Sequence, residues 1–128
     1  MTTWTRDELN KIGTAEEIKM APLRRDGSSR NPVTIWIVHL GDDLYVRSAY
    51  GRGSAWFGGT QLRHEGRIST EGIKKDVVFL DADPNLNDEI DSAYRTKYRR
   101  HGAQYINMMV SPEARSATIK LAPRSAGP

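Results

Sequence analysis

Apolar residues along this chain switch between a period of two and a period near 3.6, and the switches mark its elements. Val33-Thr-Ile-Trp-Ile-Val-His-Leu40 is the clearest strand. It is rich in β-branched residues, and its near-continuous apolarity is that of a strand buried on both faces. Gly41-Asp-Asp43 closes a tight hairpin into a strand over 44–49. Strands are also predicted over 18–25, 64–69, 73–83 and 117–121, with Asp26-Gly-Ser-Ser and Thr70-Glu-Gly72 as turn signals.

Helical signals lie between these strands. Thr5-Arg-Asp-Glu8 is a capping-box pattern, followed by Leu9 and Ile12 and stopped by Gly13. A short helix is predicted over 54–62. Ile90, Ala93, Tyr94 and Tyr98 fall at helical spacing, so 87–101 reads as an amphipathic helix with Lys97, Arg99 and Arg100 near its C-terminus, where the helix dipole favours cations. Six strands, mostly joined as hairpins, with two or three short helices packed outside, predict a mainly β (α+β) fold. The expectation is one domain over 1–128: a six-stranded antiparallel barrel with a frayed tail at 123–128.

Composition narrows the chemistry. A chain of 128 residues is long enough to bury a core without disulfides or a metal, and it has no cysteine. Thiol catalysis and thiolate metal sites are therefore excluded. No long apolar run and no basic-then-apolar leader stand in the sequence, so a cytoplasmic protein without a membrane partner is expected. The formal charge of +3 rests on thirteen arginines against six lysines. Arginine suits phosphate and carboxylate forks. No nucleic-acid-binding signature accompanies the charge, and nucleic acid is not an expected partner.

The strand over 44–49 runs into Gly51-Arg-Gly-Ser54 and then into a helix that starts with Trp56 and Phe57. Such a joint leaves backbone N–H groups at the helix start for a phosphate, and glycine permits close approach. Arg52 adds a charged fork, as does Arg47 if its side chain faces the loop. The aromatics are placed to flank a planar ring. The alternative reading of the same residues is a loop that only turns the chain and a tryptophan that fills the core.

The order of these signals resembles the flavin-binding split-barrel superfamily, which includes pyridoxamine-phosphate-oxidase-like proteins and the deazaflavin-dependent nitroreductases. The matching pieces are Leu23-Arg-Arg-Asp-Gly-Ser-Ser-Arg-Asn-Pro32, Ile35-Trp-Ile-Val38, Gly41-Asp-Asp-Leu-Tyr-Val-Arg-Ser48, Gly51-Arg-Gly-Ser54 and Trp56-Phe57. The chain looks like one of the short, uncharacterised families of that group, and the likeness is best over 15–83. It implies a split β-barrel, an FMN or deazaflavin cofactor and a homodimer with the cofactor between subunits. Carried over by position, the phosphate grip is Arg24 or Arg25, Arg30, Ser48, Gly51, Arg52, Gly53 and Ser54. The ring neighbours are Trp36, Tyr50 and Trp56. The glycine loop is about two residues shorter than the nitroreductase pattern, and His64-Glu-Gly66 replaces the usual Asn-Pro.

Other polar residues fit structural roles. His39 ends an apolar strand as a partly buried residue, and His101 stands at a helix end. His64, beside Glu65, is a candidate proton donor at a flavin edge. Three histidines this far apart give no metal spacing. Asp81 and Asp83 read as helix-start chemistry before Pro84. Ser48 and Ser54 lack a His/Asp partner set for a hydrolytic triad. The expected function is a flavin- or deazaflavin-binding oxidoreductase-like protein acting on a small planar substrate, with no catalytic side chain. The alternative is a cofactor-free split-barrel module for a phosphate-bearing or other small ligand.

Overall fold

A computed structural model of the protein describes residues 3–70 and 72–124. The chain opens with helix α1 (Arg6–Gly13). Its capping box forms as the sequence predicts: Thr5 Oγ1 accepts the Glu8 N–H (3.1 Å), and the Glu8 carboxylate accepts the Thr5 N–H (2.9 Å). The strands are β1 (Ile18–Pro22), β2 (Val33–Ile35), β3 (Val38–Leu40), β4 (Asp43–Arg47), β5 (Glu65–Thr70), β6 (Ile73–Asp81) and β7 (Thr118–Pro123). Helix α2 (Ala55–Arg63) joins β4 to β5. Helices α3 (Asn87–Tyr98), α4 (Ala103–Met109) and α5 (Pro112–Ser116) lie between β6 and β7.

All pairings are antiparallel, in the order β2-β1-β5-β6-β7-β4-β3. The sheet has seven strands, not the expected six, because the run 33–40 is two strands. It breaks at Trp36–Ile37. Residues 33–35 pair with β1 at one edge of the sheet, and 38–40 pair with β4 at the other. A flat sheet of this order would hold its outer strands about 29 Å apart at ~4.8 Å per step. The chain allows Ile35 and Val38 no more than about 11 Å. The sheet therefore curls into a half-barrel whose two edges meet at this corner.

The curl creates two cores. The concave side encloses Ile12, Ile18, Met20, Ile37, Leu44, Val46, Phe57, Phe79 and Ile119, among others. On the outside of β3 and β4, Val38 and Tyr45 pack under Ile90, Tyr94 and Tyr98 of α3 and Ile106 and Met109 of α4. The continuous apolarity of 33–40 follows: Val33, Ile35 and Ile37 join the first core, and Trp36, Val38 and Leu40 the second. Helix α3 matches the predicted stripe, and a 3-10 turn over Arg99–His101 extends it to the predicted end. The described residues hold five α-helices where two or three were expected; α4 and α5 are the additions. Strand β1 stops at Pro22 rather than 25, because Arg24 to Ser28 form a turn closed by the Arg24 N–H to the Ser28 carbonyl (2.8 Å). Strand β7 runs on through Pro123, into the expected tail; the rest of that tail, 125–128, and Glu71 of the predicted turn lie outside the described residues. Among the described residues no helix is long and apolar enough to cross a membrane.

The break at Trp36–Ile37 takes Ile37 out of the strand ladder, and α3 supplies its partners. Tyr98 Oη accepts the Ile37 N–H (3.0 Å) and lies within donating distance of the carbonyls of Ile37 (3.0 Å) and Glu16 (2.8 Å). Lys97 Nζ donates to the carbonyls of Ile37 (2.6 Å) and Gly13 (2.8 Å). Burial pushes the Tyr98 hydroxyl up and the Lys97 ammonium down, the latter to about 8.

Candidate functional site

Trp36, Tyr50 and Trp56 line one concavity of about 250 Å³ at this corner, together with Glu17, Thr34, Ala49 and Met109. Three different elements deliver the aromatics. Trp36 sits at the break between β2 and β3, its ring stacked flat on Tyr98 with centroids 4.0 Å apart. Tyr50 follows β4 and is 78% exposed. Trp56 is on the first turn of α2, edge-on to Phe57.

The glycine loop is a 3-10 turn over Gly51–Gly53. Gly51 has φ +80°, and a Cβ there would stand 3.2 Å from the Glu113 side chain, so both conformation and space favour glycine. Two of the loop's N–H groups are bonded within it: Gly51 N–H to the Ser48 carbonyl (3.0 Å) and Ser54 N–H to the Gly51 carbonyl (3.4 Å). Ser54 caps α2, its Oγ accepting the Phe57 N–H (3.4 Å), and it shares a hydroxyl bond of 2.8 Å with the buried Ser48. Gly53 faces open space.

The predicted arginines separate. Arg52 donates from Nη1 to the Ser116 carbonyl (2.9 Å), with its guanidinium 5.1 Å from the Phe57 ring centre. Arg30 instead lies against Gly59 of α2, where a Cβ would stand 3.1 Å from its Cδ and Nε. Phe57 and Gly59 are about 200° apart around the helix, whereas Trp56 and Gly59 share a face. Arg30 is thus on the Trp56 side of α2, though not among the residues that line the concavity, and Arg52 is on the Phe57 side. The Arg30 guanidinium makes no hydrogen bond or ion pair among the described residues. Arg24 closes its own turn, donating from Nη1 to the Ser29 carbonyl (2.7 Å). Arg25 is exposed, and its carbonyl accepts from Arg63 Nη1 (3.1 Å).

Arg47 does not meet the condition under which it would add a fork at the loop. It is buried, at 1% exposure, and forms part of the inner lining of the concavity. All five of its N–H donors find acceptors. Nε donates to Thr118 Oγ1 (2.9 Å), Nη1 to the Asp91 carboxylate and the Met109 carbonyl (3.1 Å), and Nη2 to the carbonyl (3.2 Å) and Oδ1 (3.1 Å) of Asn87. It therefore ties β4 to β7, α3 and α4. Nothing near it in sequence announces this role, since its ionic partner is 44 residues away.

None of the histidines lines the concavity. His39 Nε2 meets the Gly41 carbonyl (2.6 Å). His64 ends α2 in the left-handed region, at φ 61°, and is exposed. His101 Nε2 lies 3.0 Å from Glu16 Oε1, and that hydrogen bond, with the Arg100 charge, holds the Glu16 carboxyl below its usual range. Asp83 Oδ1 accepts the Asn85 N–H (2.9 Å) and starts the turn before α3, as expected, whereas Asp81 is the last residue of β6, paired with Ile119, and caps no helix.

Solved structures share this fold. HutZ, the heme storage protein from Vibrio cholerae, aligns with a TM-score of 0.63 at 12% identity, over 94% of this chain and 91% of its own. An F420 reductase aligns at 0.54 and 12% identity, over 93% of each chain. An FMN-binding protein from Syntrophomonas wolfei aligns at 0.54 and 14% identity, over 94% and 84%. Among curated proteins none matches this chain. Residues 8–121 match the family described as Uncharacterized protein conserved in bacteria (DUF2255), and the chain belongs to that family.

Proposed function

We propose that this protein binds a flavin-type cofactor, FMN or a deazaflavin, and works as an oxidoreductase-like protein on a small planar substrate. The observation that carries the reading is the convergence of Trp36, Tyr50 and Trp56 on one concavity. Aromatic faces at a half-open site favour stacking against a planar ring. Arg30, on the same face of α2 as Trp56, offers a guanidinium to a phosphate of the bound molecule. Two similar folds belong to an FMN-binding protein and an F420 reductase, which supports this ligand class. A heme is not proposed, because no histidine lines the concavity.

The ring, once bound, supplies the redox chemistry. The protein's part is to hold it and to exclude water from one face. At about 250 Å³ the concavity covers only part of such a ring, since ligand pockets ordinarily span ~300–1,000 Å³. A second copy of the chain is the proposed cover, which makes the working form a homodimer with exposed Tyr50 at its interface.

One observation favours a second reading, a cofactor-free binding module. The loop N–H groups of Gly51 and Ser54 are bonded within their own turn rather than free for a phosphate. Titration with FMN and with the deazaflavin cofactor separates the readings, followed by cofactor absorption and tryptophan quenching. Saturable binding of one of them, weakened at least tenfold in Trp56→Ala, supports the first. Binding of neither by the purified dimer leaves the cofactor-free module. Monomeric protein at all working concentrations removes the homodimer.

A further inference from the structure

A larger groove lies on the other side of α3, apart from the aromatic concavity. It measures about 680 Å³ and runs between the end of α1, β3 and the α3 face that carries Glu89, Ala93, Thr96 and Lys97. Val38, Leu40 and Ala93 give it an apolar floor. Glu89 and Lys97 stand at opposite ends, eight residues apart, or about 12 Å along the helix axis.

The cation at one end is incompletely partnered. Lys97 Nζ donates to the Gly13 and Ile37 carbonyls, which leaves one of its three N–H groups without a protein acceptor among the described residues. No carboxylate forms an ion pair with it there. Its charge is half-buried, and burial lowers its pKa to about 8. Glu16 acts on it as a nearby charge without forming an ion pair, and the Tyr98 ring centre lies 5.0 Å from Nζ. A half-buried ammonium with no ion pair is stabilised further by an anion that reaches it, and an apolar floor favours an anion with a hydrocarbon body.

We infer that this groove is a binding site for a small monocarboxylate with an apolar body, its carboxylate on Lys97 and its chain along Val38, Leu40 and Ala93. Glu89 at the far end repels a second carboxylate, which sets the preference for one acidic group. The site is independent of the aromatic concavity and of the flavin reading.

The test uses amide NMR of the whole protein titrated with hexanoate, hexan-1-ol and adipate. Hexanoate is expected to give saturable shifts centred on Ala93, Thr96 and Lys97. Hexan-1-ol, which has the same body without charge, should bind about ten- to a hundredfold more weakly. Adipate should bind more weakly than hexanoate, and Glu89→Gln should narrow that gap. Lys97→Gln should remove the preference for hexanoate over hexan-1-ol. Ala93→Trp, which leaves the Lys97 bonds in place and fills the floor, should abolish binding of both while the fold persists; it decides the matter if Lys97→Gln does not fold. Equal affinity for hexanoate and hexan-1-ol overturns the proposal. So do shifts centred elsewhere, binding that survives Ala93→Trp, or no saturable shift up to about 50 mM.

Discussion

Tyr98 lies flat against Trp36, with ring centres 4.0 Å apart and planes within 1° of parallel, while its hydroxyl accepts the N–H of the next residue, Ile37, at 3.0 Å. One side chain of α3 thus fixes both the aromatic wall of the concavity and the backbone where the half-barrel breaks. Tyr98→Phe keeps the stack and removes the hydroxyl. The buried Ile37 N–H then has no acceptor, at a cost of about 1–3 kcal/mol. Urea denaturation should show that loss. A near-wild-type midpoint would mean that the corner relaxes to find another partner.

Arg47 and Asp91 form the second fixed point, where all five guanidinium donors are engaged inside the protein. Arg47→Met leaves Asp91 buried, with Arg115 Nε 3.8 Å from its second oxygen. Removing one partner of a buried pair costs about 3–5 kcal/mol, and replacing both with apolar residues often costs far less. Arg47→Met should therefore be severely destabilising, and Arg47→Met/Asp91→Leu should recover much of the loss in the same denaturation experiment. A double variant no better than the single would show that the bonds to Thr118, Met109 and Asn87 dominate.

Stability should depend on pH in the alkaline range. The Lys97 pKa falls from 10.5 to about 8 through burial, partly countered by the Glu16 charge. Between those values the unfolded chain holds a proton that the folded chain has released, so stability rises with pH across that window; below it both forms are protonated and the contribution is flat. Burial raises the hydroxyls of Tyr94 and Tyr98 above the usual value of 10. Past that pH the unfolded chain ionises first, and stability falls. The unfolding free energy should climb from about pH 8 and turn down above pH 10. In Lys97→Met the climb should vanish and the fall remain. A wild-type profile that declines steadily from pH 8 to 10 would contradict the assignment.

Signals in the sequence are legible where the physics is local. The Thr5–Glu8 capping box, the Gly41-Asp-Asp43 hairpin and the Ile90/Tyr94/Tyr98 stripe each report a short-range arrangement that the chain adopts. The run 33–40 shows the limit. Its apolarity reports burial on both faces, but no glycine or proline marks the break at Trp36–Ile37, because the break is set by partners on β1, β4 and α3. Helix α5 carries a readable start, Ser111 capping before Pro112, although the expected elements did not include it. The direction of Arg47, in a strand before a glycine loop, is open in the sequence, and only its long-range pairing with Asp91 gives it. The resemblance, not spacing, groups Trp36, Tyr50 and Trp56. Their common concavity is a product of the curled sheet.

The separation of Arg30 and Arg52 by α2 turns the phosphate grip into a choice. Arg52 is already bonded to the Ser116 carbonyl and lies over Phe57, away from the concavity. Arg30 has no hydrogen bond or ion pair from its guanidinium among the described residues and lies on the Trp56 side of α2. Under the flavin reading, Arg30→Ala should weaken FMN or deazaflavin binding by about ten- to a hundredfold, the loss of one or more charge-assisted hydrogen bonds. Arg52→Ala should change affinity by less than about twofold and stability by less than ~0.5 kcal/mol, because its side chain is exposed. Parallel titrations of wild type and both variants measure this directly. The reverse ranking would move the phosphate to the Gly51–Gly53 turn and to the start of α2, where the N–H groups of Ala55 and Trp56 and the Arg52 fork would have to hold it. In that case Gly53→Val, at a position now facing open space, should also block binding, because a bound phosphate would occupy that space. If Arg30 holds the phosphate, Gly53→Val should leave affinity unchanged.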